Sequence, residues 1–332
     1  HCPMTTHSSC PDCGDSTSRR SFLKSTLAGA AAFAAAPVLA APTPKDKPET
    51  LVTQLYKSLD EKQRTDLCFD FEHPLRSKVD NNWHITKTSL DGNLTPDQRD
   101  LVKQIFMGLH SEAWGQKVFD QVTHDSGKAG FGSSSIALFG EPGKGKFEFV
   151  LTGRHCTRRC DGDSVGGAAF GGPIFYGHAA KSFNEKANHE GNVYWHQARR
   201  ANEVYQMLDG RQRKLALLNE HRGEHHTDTV KLTGKKTGLP GIPLTELARY
   251  QKDMVGKVLA DLLAPFRKAD ADEVMKLVNK NGFDNLHMAF FKQGDIGEDG
   301  VWDVWQLEGP TMVWYFRGEP HVHTWVHVRE SV

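Results

Sequence analysis

The sequence predicts an α+β fold, an antiparallel or mixed sheet with helices packed on it, helical in its N-terminal part and β-rich at its C-terminal end. Three observations carry this reading. Apolar residues recur at helical spacing early in the chain, period-two stretches recur in the middle and close it, and the two kinds are segregated rather than strictly alternating.

In chain order, Leu51, Leu55, Leu59 and Leu67 lie at helical spacing within 50–71. Further helices are predicted over 98–109, 112–122, 193–208, 211–219, 244–265 and 270–281. Alternating stretches predict strands at 135–139, 146–153, 174–177, 287–291, 301–307, 312–316 and 321–328. One phrase occurs three times: Leu59-Asp60-Glu61-Lys62-Gln63-Arg64, Leu94-Thr95-Pro96-Asp97-Gln98-Arg99 and Leu208-Asp209-Gly210-Arg211-Gln212-Arg213. In each, Asp or Thr can accept from the amide three residues on while Gln reaches back to the cap amide, so each predicts a helix start. Residues 162–172 and 222–243 are long irregular stretches, and such loops often carry function.

The first forty residues bear on location. Ser18-Arg19-Arg20-Ser21-Phe22-Leu23-Lys24 is followed by an alanine-rich apolar run and the small-residue exit Val38-Leu39-Ala40. A paired-arginine n-region, a weakly apolar stretch and a cleavage site predict export of the folded protein through the twin-arginine translocase to the periplasm or another extracytoplasmic space. The apolar run is too short and too rich in alanine for a bilayer span, which takes about 20 strongly apolar residues, so no anchor is expected after cleavage. The sequence opens at His1, and a start further upstream is expected. Residues 1–40 then form a removed signal, 41–48 a Pro/Lys linker and 49–332 a single domain. Cleavage removes Arg19, Arg20, Lys24, Asp12 and Asp15, turning 41 basic and 41 acidic residues into 38 and 39. A near-neutral chain without a basic stripe argues against nucleic acid as a partner.

Cys2, Cys10 and Cys13 would leave with the signal, while Cys68, Cys156 and Cys160 remain. In an oxidising compartment Cys156 and Cys160 could form a disulfide across a three-residue loop, or serve as metal ligands. The sequence leaves both readings open.

The candidate site starts from the last strand, His321-Val322-His323-Thr324-Trp325-Val326-His327, where alternation puts His321, His323 and His327 on one face. Two imidazoles at i and i+2 can share one ion, and neutral imidazole suits zinc, copper or iron. On a second strand Phe147, Phe149, Leu151 and His155 share a face, making His155 a further candidate ligand and His178 another. The blander readings are an exposed edge strand and core histidines. Glu319 and Asp161 are candidate acid–base groups. Arg154 and Arg158 could clamp an anionic small-molecule substrate, with Trp83 and His84 beside it, although Asp161 and Asp163 could equally pair with the arginines. Glu220-His221 and Glu224-His225-His226 read as a solvated turn. No nucleophile elbow, His-Glu-x-x-His, haem-attachment or phosphate-loop motif occurs.

The order Phe71…Arg76…Asn82-Trp83-His84, Phe139-Gly140…Phe147-Glu148-Phe149…Gly153-Arg154-His155, Leu307-Glu308-Gly309-Pro310 and His321-Val322-His323-Thr324-Trp325 resembles the domain of unknown function 3500 family from about Leu51 to Val328. The resemblance implies a strand ending in Gly-His-His and a last strand with His-x-His, but no activity. Here Arg154 stands at the first of the paired histidines and His155 keeps the second, while a Cys156–Cys160 insertion and the glycine-rich loop look like features of a subgroup that could change substrate or metal. These residues point to an exported metal-dependent enzyme with His155, His321 and His323 as ligands, or to a non-catalytic periplasmic metal- or ligand-binding protein.

Overall fold

Helix formation at the N-terminal end is set by capping. The computed structural model describes residues 47–179, 189, 191–295, 297 and 299–332; Arg19, Arg20 and the rest of the predicted signal lie outside them. Helix α1 (Pro48–Ser58) is followed at once by α2 (Glu61–Leu67), because Asp60 caps a new start inside what the periodicity reads as one helix. Helices α3 (Pro96–Gly108), α4 (Gly115–Asp125), α5 (Trp195–Met207), α6 (Gly210–Ala216), α7 (Arg249–Leu263) and α8 (Lys268–Asn281) complete the helical layer. All three repeated phrases are capping boxes, at Asp60/Gln63, Thr95/Gln98 and Asp209/Gln212.

The same glutamines also join helices in pairs. Gln63 Nε2 donates to Gln98 Oε1 at 2.8 Å and Gln98 Nε2 returns the bond at 3.0 Å. Gln212 and Gln251 do likewise, at 3.0 and 2.8 Å, and Gln251 Oε1 reaches back to the Ala248 amide at the start of α7. All four side chains are buried, so the reciprocal bonds satisfy groups that would otherwise be stranded away from water.

The strands are β1 (Cys68–Phe69), β2 (Ser135–Gly140), β3 (Phe147–Gly153), β4 (Cys156–Cys160), β5 (Ile174–His178), β6 (Leu217–Leu218), β7 (Ile242–Pro243), β8 (His287–Phe291), β9 (Val304–Gly309), β10 (Met312–Arg317) and β11 (Val322–Val328). They form one mixed sheet in the order β1-β2-β3-β4-β5-β11-β10-β9-β8-β6, with β7 pairing β8 beside that path. The order reads the same from either end. Short β1 runs parallel to β2 and short β6 parallel to β8, and the intervening pairs are antiparallel. The elements α1-α2-β1-α3-α4-β2-β3-β4-β5 are therefore repeated as α5-α6-β6-α7-α8-β8-β9-β10-β11, and the halves meet where Ile174 of β5 pairs Val326 of β11. Both halves turn their second hairpin with two residues, between paired Gly153 and Cys156 and between paired Gly309 and Met312.

Both sheet faces are buried, which explains why several strands show weak alternation. One face, including Phe149, Leu151, Tyr176, Trp305 and Trp314, packs on the helices. The other, including Phe175, Tyr315 and Trp325 with Phe139 and Val150, is covered by the connections after β1 and β6 through Val79, Ile85, Val230 and Leu232.

Besides the two-residue strands β1, β6 and β7, which fall in stretches that read as helix or loop, one strand departs from expectation. Residues 156–160 are β4, a central strand, not a disulfide loop or an insertion. Cys156 and Cys160 are free and buried, and a spacing of four residue steps along the strand puts them about 13 Å apart, far beyond disulfide reach. The two arginines between them masked the pattern.

Because Gln63 and Gln98 share two bonds and close two caps, replacing Gln98 with Ala is expected to cost about 2 kcal/mol in urea unfolding. A Gln63→Ala/Gln98→Ala double-mutant cycle should show coupling of at least about 0.5 kcal/mol.

Candidate metal centre

His155 owes its place to backbone geometry. It is the second residue of the β3–β4 turn and sits at φ 53°, a left-handed conformation that suits glycine. Its amide donates to Asn81 O at 2.8 Å, and Arg154 beside it forms a backbone bridge with Asn82. His323 lies on β11, and His321 immediately precedes that strand, after the cis Glu319–Pro320 peptide. Since β4 and β5 alone lie between β3 and β11 in the sheet, the turn bearing His155 comes to the end of β11 that carries both histidines.

The three imidazoles converge. His155 Nε2 lies 3.1 Å from His321 Nε2 and 3.1 Å from His323 Nε2, and the latter two are 2.9 Å apart. All three residues are buried, and among the described residues they form the one group of three or more His, Cys, Asp or Glu positioned to hold an ion. The opposite ring nitrogens are committed elsewhere. His155 Nδ1 donates to Asp125 Oδ2 at 3.0 Å, and His323 Nδ1 donates to Glu224 Oε2 at 2.7 Å. Arg317 also lies against His323 Nδ1, but a guanidinium only donates, so Glu224 is the acceptor that both share; Arg317 Nε donates to its Oε1 at 2.5 Å. These tautomers follow from the hydrogen-bond network. They leave the Nε2 atoms of His155 and His323 as bare lone pairs facing each other at 3.1 Å, an arrangement that a cation relieves.

The electrostatics agree. Burial pushes the His321 imidazole far below its ordinary range, reinforced by His323 and His155. Burial and Arg317 lower His323 to about 3, so both rings are neutral, as ligands must be. Burial alone would raise Glu224, yet His323 and Arg317 hold it well below the usual carboxylate range. Asp125, likewise opposed by burial, is held low by hydrogen bonds from His155 and His178. Carboxylates behind metal-binding histidines fix ring orientation and raise basicity.

The remaining candidates are placed elsewhere. His178 Nδ1 is 3.4 Å from Asp125 Oδ1, so it shares the carboxylate behind His155 and is not one of the converging ligands. His327 lies four residues along β11 from His323, about 13 Å, and donates to Val230 O. Asp161 follows β4, about 20 Å from His155 at the strand's far end, where its Oδ2 accepts from the Val165 amide at 2.8 Å; it is a turn residue and not an acid–base group of this centre. Arg158 is no substrate clamp, because its buried guanidinium donates to Phe175 O at 2.6 Å, His110 Nε2 at 3.2 Å and Tyr194 Oη at 3.4 Å. Trp83 donates to Thr157 Oγ1 at 2.9 Å as an anchor of the strap 79–86, and exposed His84 donates to Ser133 O. Glu319 stands two residues before His321, and its carbonyl accepts from Arg317.

Asp125, Glu224 and Arg317 were not marked by the sequence. Glu224 belongs to the polar stretch that reads as a solvated turn, but its side chain is only 16 % exposed and is tied to β10 and β11 by Arg317 and His323. The one cue was its place within the long 222–243 connection.

The family profile described as Protein of unknown function (DUF3500) matches residues 42–330. The chain belongs to that family. No curated protein and no solved structure matches it. Within this family member, the second half shows what the site looks like without its histidine. Thr311 occupies the turn position of His155, and Asn281 at the end of α8 stands for Asp125 at the end of α4, with Asn281 Nδ2 donating to Thr311 Oγ1 at 2.6 Å. A polar contact is kept there without metal-binding groups.

Two outcomes are expected. His155→Gly should leave the metal-free protein about 1 kcal/mol more stable than His155→Ala, since only glycine adopts the turn without strain; urea unfolding compares them. His321 and His323 are held neutral in the fold but protonate near pH 6.5 when unfolded. The unfolded chain then binds more protons below that pH, so metal-free stability should fall as pH drops from 6.5 toward 3, by up to about 1.4 kcal/mol per unit per histidine. The His321→Ala/His323→Ala variant should show a flatter pH dependence over pH 7 to 5.

Proposed function

We propose that this is an exported metalloprotein that binds one divalent transition ion through His155, His321 and His323, and that it is a metal-dependent enzyme acting on a small, anionic substrate. The observation that supports the metal is the convergence of the three Nε2 atoms within 3.1 Å while Asp125 and Glu224 occupy the far side of two rings. Zinc, copper and iron all accept such imidazole ligands.

Catalysis is favoured over passive binding by the ligand count. Three protein ligands leave coordination positions for water and substrate, whereas a closed structural site has four. Cys156, Cys160, His178 and His327, the residues that could have closed it, are not in the converging group. Local charge supports an anionic substrate: a divalent ion with Asp125, Glu224 and Arg317 carries a net positive charge, which favours hydroxide or a carboxylate at the open positions. Bound to the ion, water would be acidified toward neutrality and a substrate carbonyl polarised. Glu319, two residues before His321, is the proposed acid–base group. Export through the twin-arginine translocase, proposed from Arg19 and Arg20, would let the folded protein take its ion before meeting competing periplasmic metals. Among the described residues no helix is long and apolar enough to cross a membrane.

Elemental analysis of protein purified from the periplasm tests this reading. A stoichiometric ion is expected in the native protein and its loss in His321→Ala/His323→Ala, whereas less than about 0.1 ion per chain in both would exclude the metal. Asp125→Asn should weaken binding about 10- to 100-fold through His155. Glu319→Gln should keep the ion. Arg19→Lys/Arg20→Lys should leave the protein in the cytoplasm, and unchanged export would remove the twin-arginine route.

A further inference from the structure

Two connecting segments pass beside the three histidines, and each carries a partner of one of them. In the first half Asn81 O accepts from the His155 amide at 2.8 Å, and in the second Glu224 Oε2 accepts from His323 Nδ1 at 2.7 Å. Each segment is tied to the strands of its own half. Asp80 O accepts from Thr157 Oγ1 of β4 at 3.0 Å, and the Ile85 amide donates to Thr152 Oγ1 of β3 at 2.9 Å. Arg222 donates to Thr229 O at 2.7 Å and to Gln306 Oε1 of β9 at 3.0 Å.

The segments also meet each other. Asp80 Oδ2 accepts from His226 Nδ1, and the Val79 amide donates to Thr227 Oγ1 at 3.3 Å. Val79 and Val230 share an apolar cluster with Phe175, whose ring centre lies 5.2 Å from that of His323 and 6.2 Å from that of His155. The other Asp80 oxygen accepts from the Asn81 amide at 2.7 Å. One carboxylate therefore sets the residue that receives the His155 amide and grips the segment that bears Glu224. Exposed His226 reaches it from φ 50°, a left-handed conformation held against local preference.

We infer that Asp80 is a positioning residue of the metal centre, acting on His155 through Asn81 and on His323 through His226 and the segment of Glu224; this rests on the metal reading above. The path from His155 through Asn81, Asp80, His226 and Glu224 to His323 closes a ring between ligands of the two halves. Opening that ring at Asp80 lets the two imidazoles move independently, so an ion must order them as it binds. An exposed ion pair contributes little to folding by itself, so its loss is read in metal affinity.

Zinc affinity of the full chain, measured by competition with a chromophoric chelator, tests the role. Asp80→Ala should bind zinc about three- to tenfold more weakly than the native chain. Asp80→Asn keeps an acceptor for Asn81 and a polar group for His226, and should come back to within about twofold. His226→Ala should lose about two- to fivefold, and His226→Asn should recover, because asparagine tolerates the left-handed backbone and can donate to Asp80. Lys252→Ala, which breaks an exposed bond of 2.7 Å to Asp284 elsewhere, should leave affinity unchanged. Should Asp80→Ala not fold, the two His226 variants carry the test. Native affinity in either alanine variant that folds, no recovery with asparagine, or an equal loss in Lys252→Ala would overturn the positioning role and leave the metal reading standing. Failure of the native chain to bind zinc or any other divalent transition ion would overturn both.

Discussion

The antiparallel pairing of β5 with β11 is the constraint on which the rest of the molecule depends. It joins two halves of the same element order into one sheet, and it alone brings the β3–β4 turn of the first half to the end of β11 in the second. No ligand set could be assembled within either half, because His155 belongs to one and His321 and His323 to the other. Burial of both sheet faces fixes the register of this pairing, since a one-residue slip would send Phe175 and Trp325 toward the helices and Tyr176 and Val326 away from them.

Around the centre, polar burial is arranged in order of charge. The imidazoles are innermost, Asp125 and Glu224 lie behind two of them, and Arg317 lies behind Glu224. Each buried charge has a partner, which is the condition for keeping charges in a low-dielectric interior. The innermost atoms are the exception, since bare nitrogens face one another. Such a local conflict is where function is expected to reside.

The two halves show how little separates a functional position from a structural one. At equivalent turns His155 meets Asp125 and Thr311 meets Asn281, each pair linking the hairpin to the end of the helix beneath it. The hydrogen bond serves the fold in both halves, while only the first adds a ligand atom pointing the other way. The strained φ of His155 fits this distinction, for a residue kept in an unfavourable backbone region marks a place where side-chain chemistry outweighs local stability.

The sequence by itself determined what is local in the chain. Helix starts were legible because a capping box is closed within four residues, and most strands because alternation is a property of neighbours. His321 and His323 were legible for the same reason, being two apart on one strand, and His155 through the apolar face of β3. What only the tertiary structure decided depends on groups far apart in the chain. Thirty residues separate Asp125 from His155 and 99 separate Glu224 from His323, so no local pattern marks either carboxylate as a partner. The strand 156–160 was hidden because Arg158 and Arg159 find buried acceptors on both faces of the sheet, Phe175 O on one side and Glu148 on the other, acceptors that exist only once distant strands have paired.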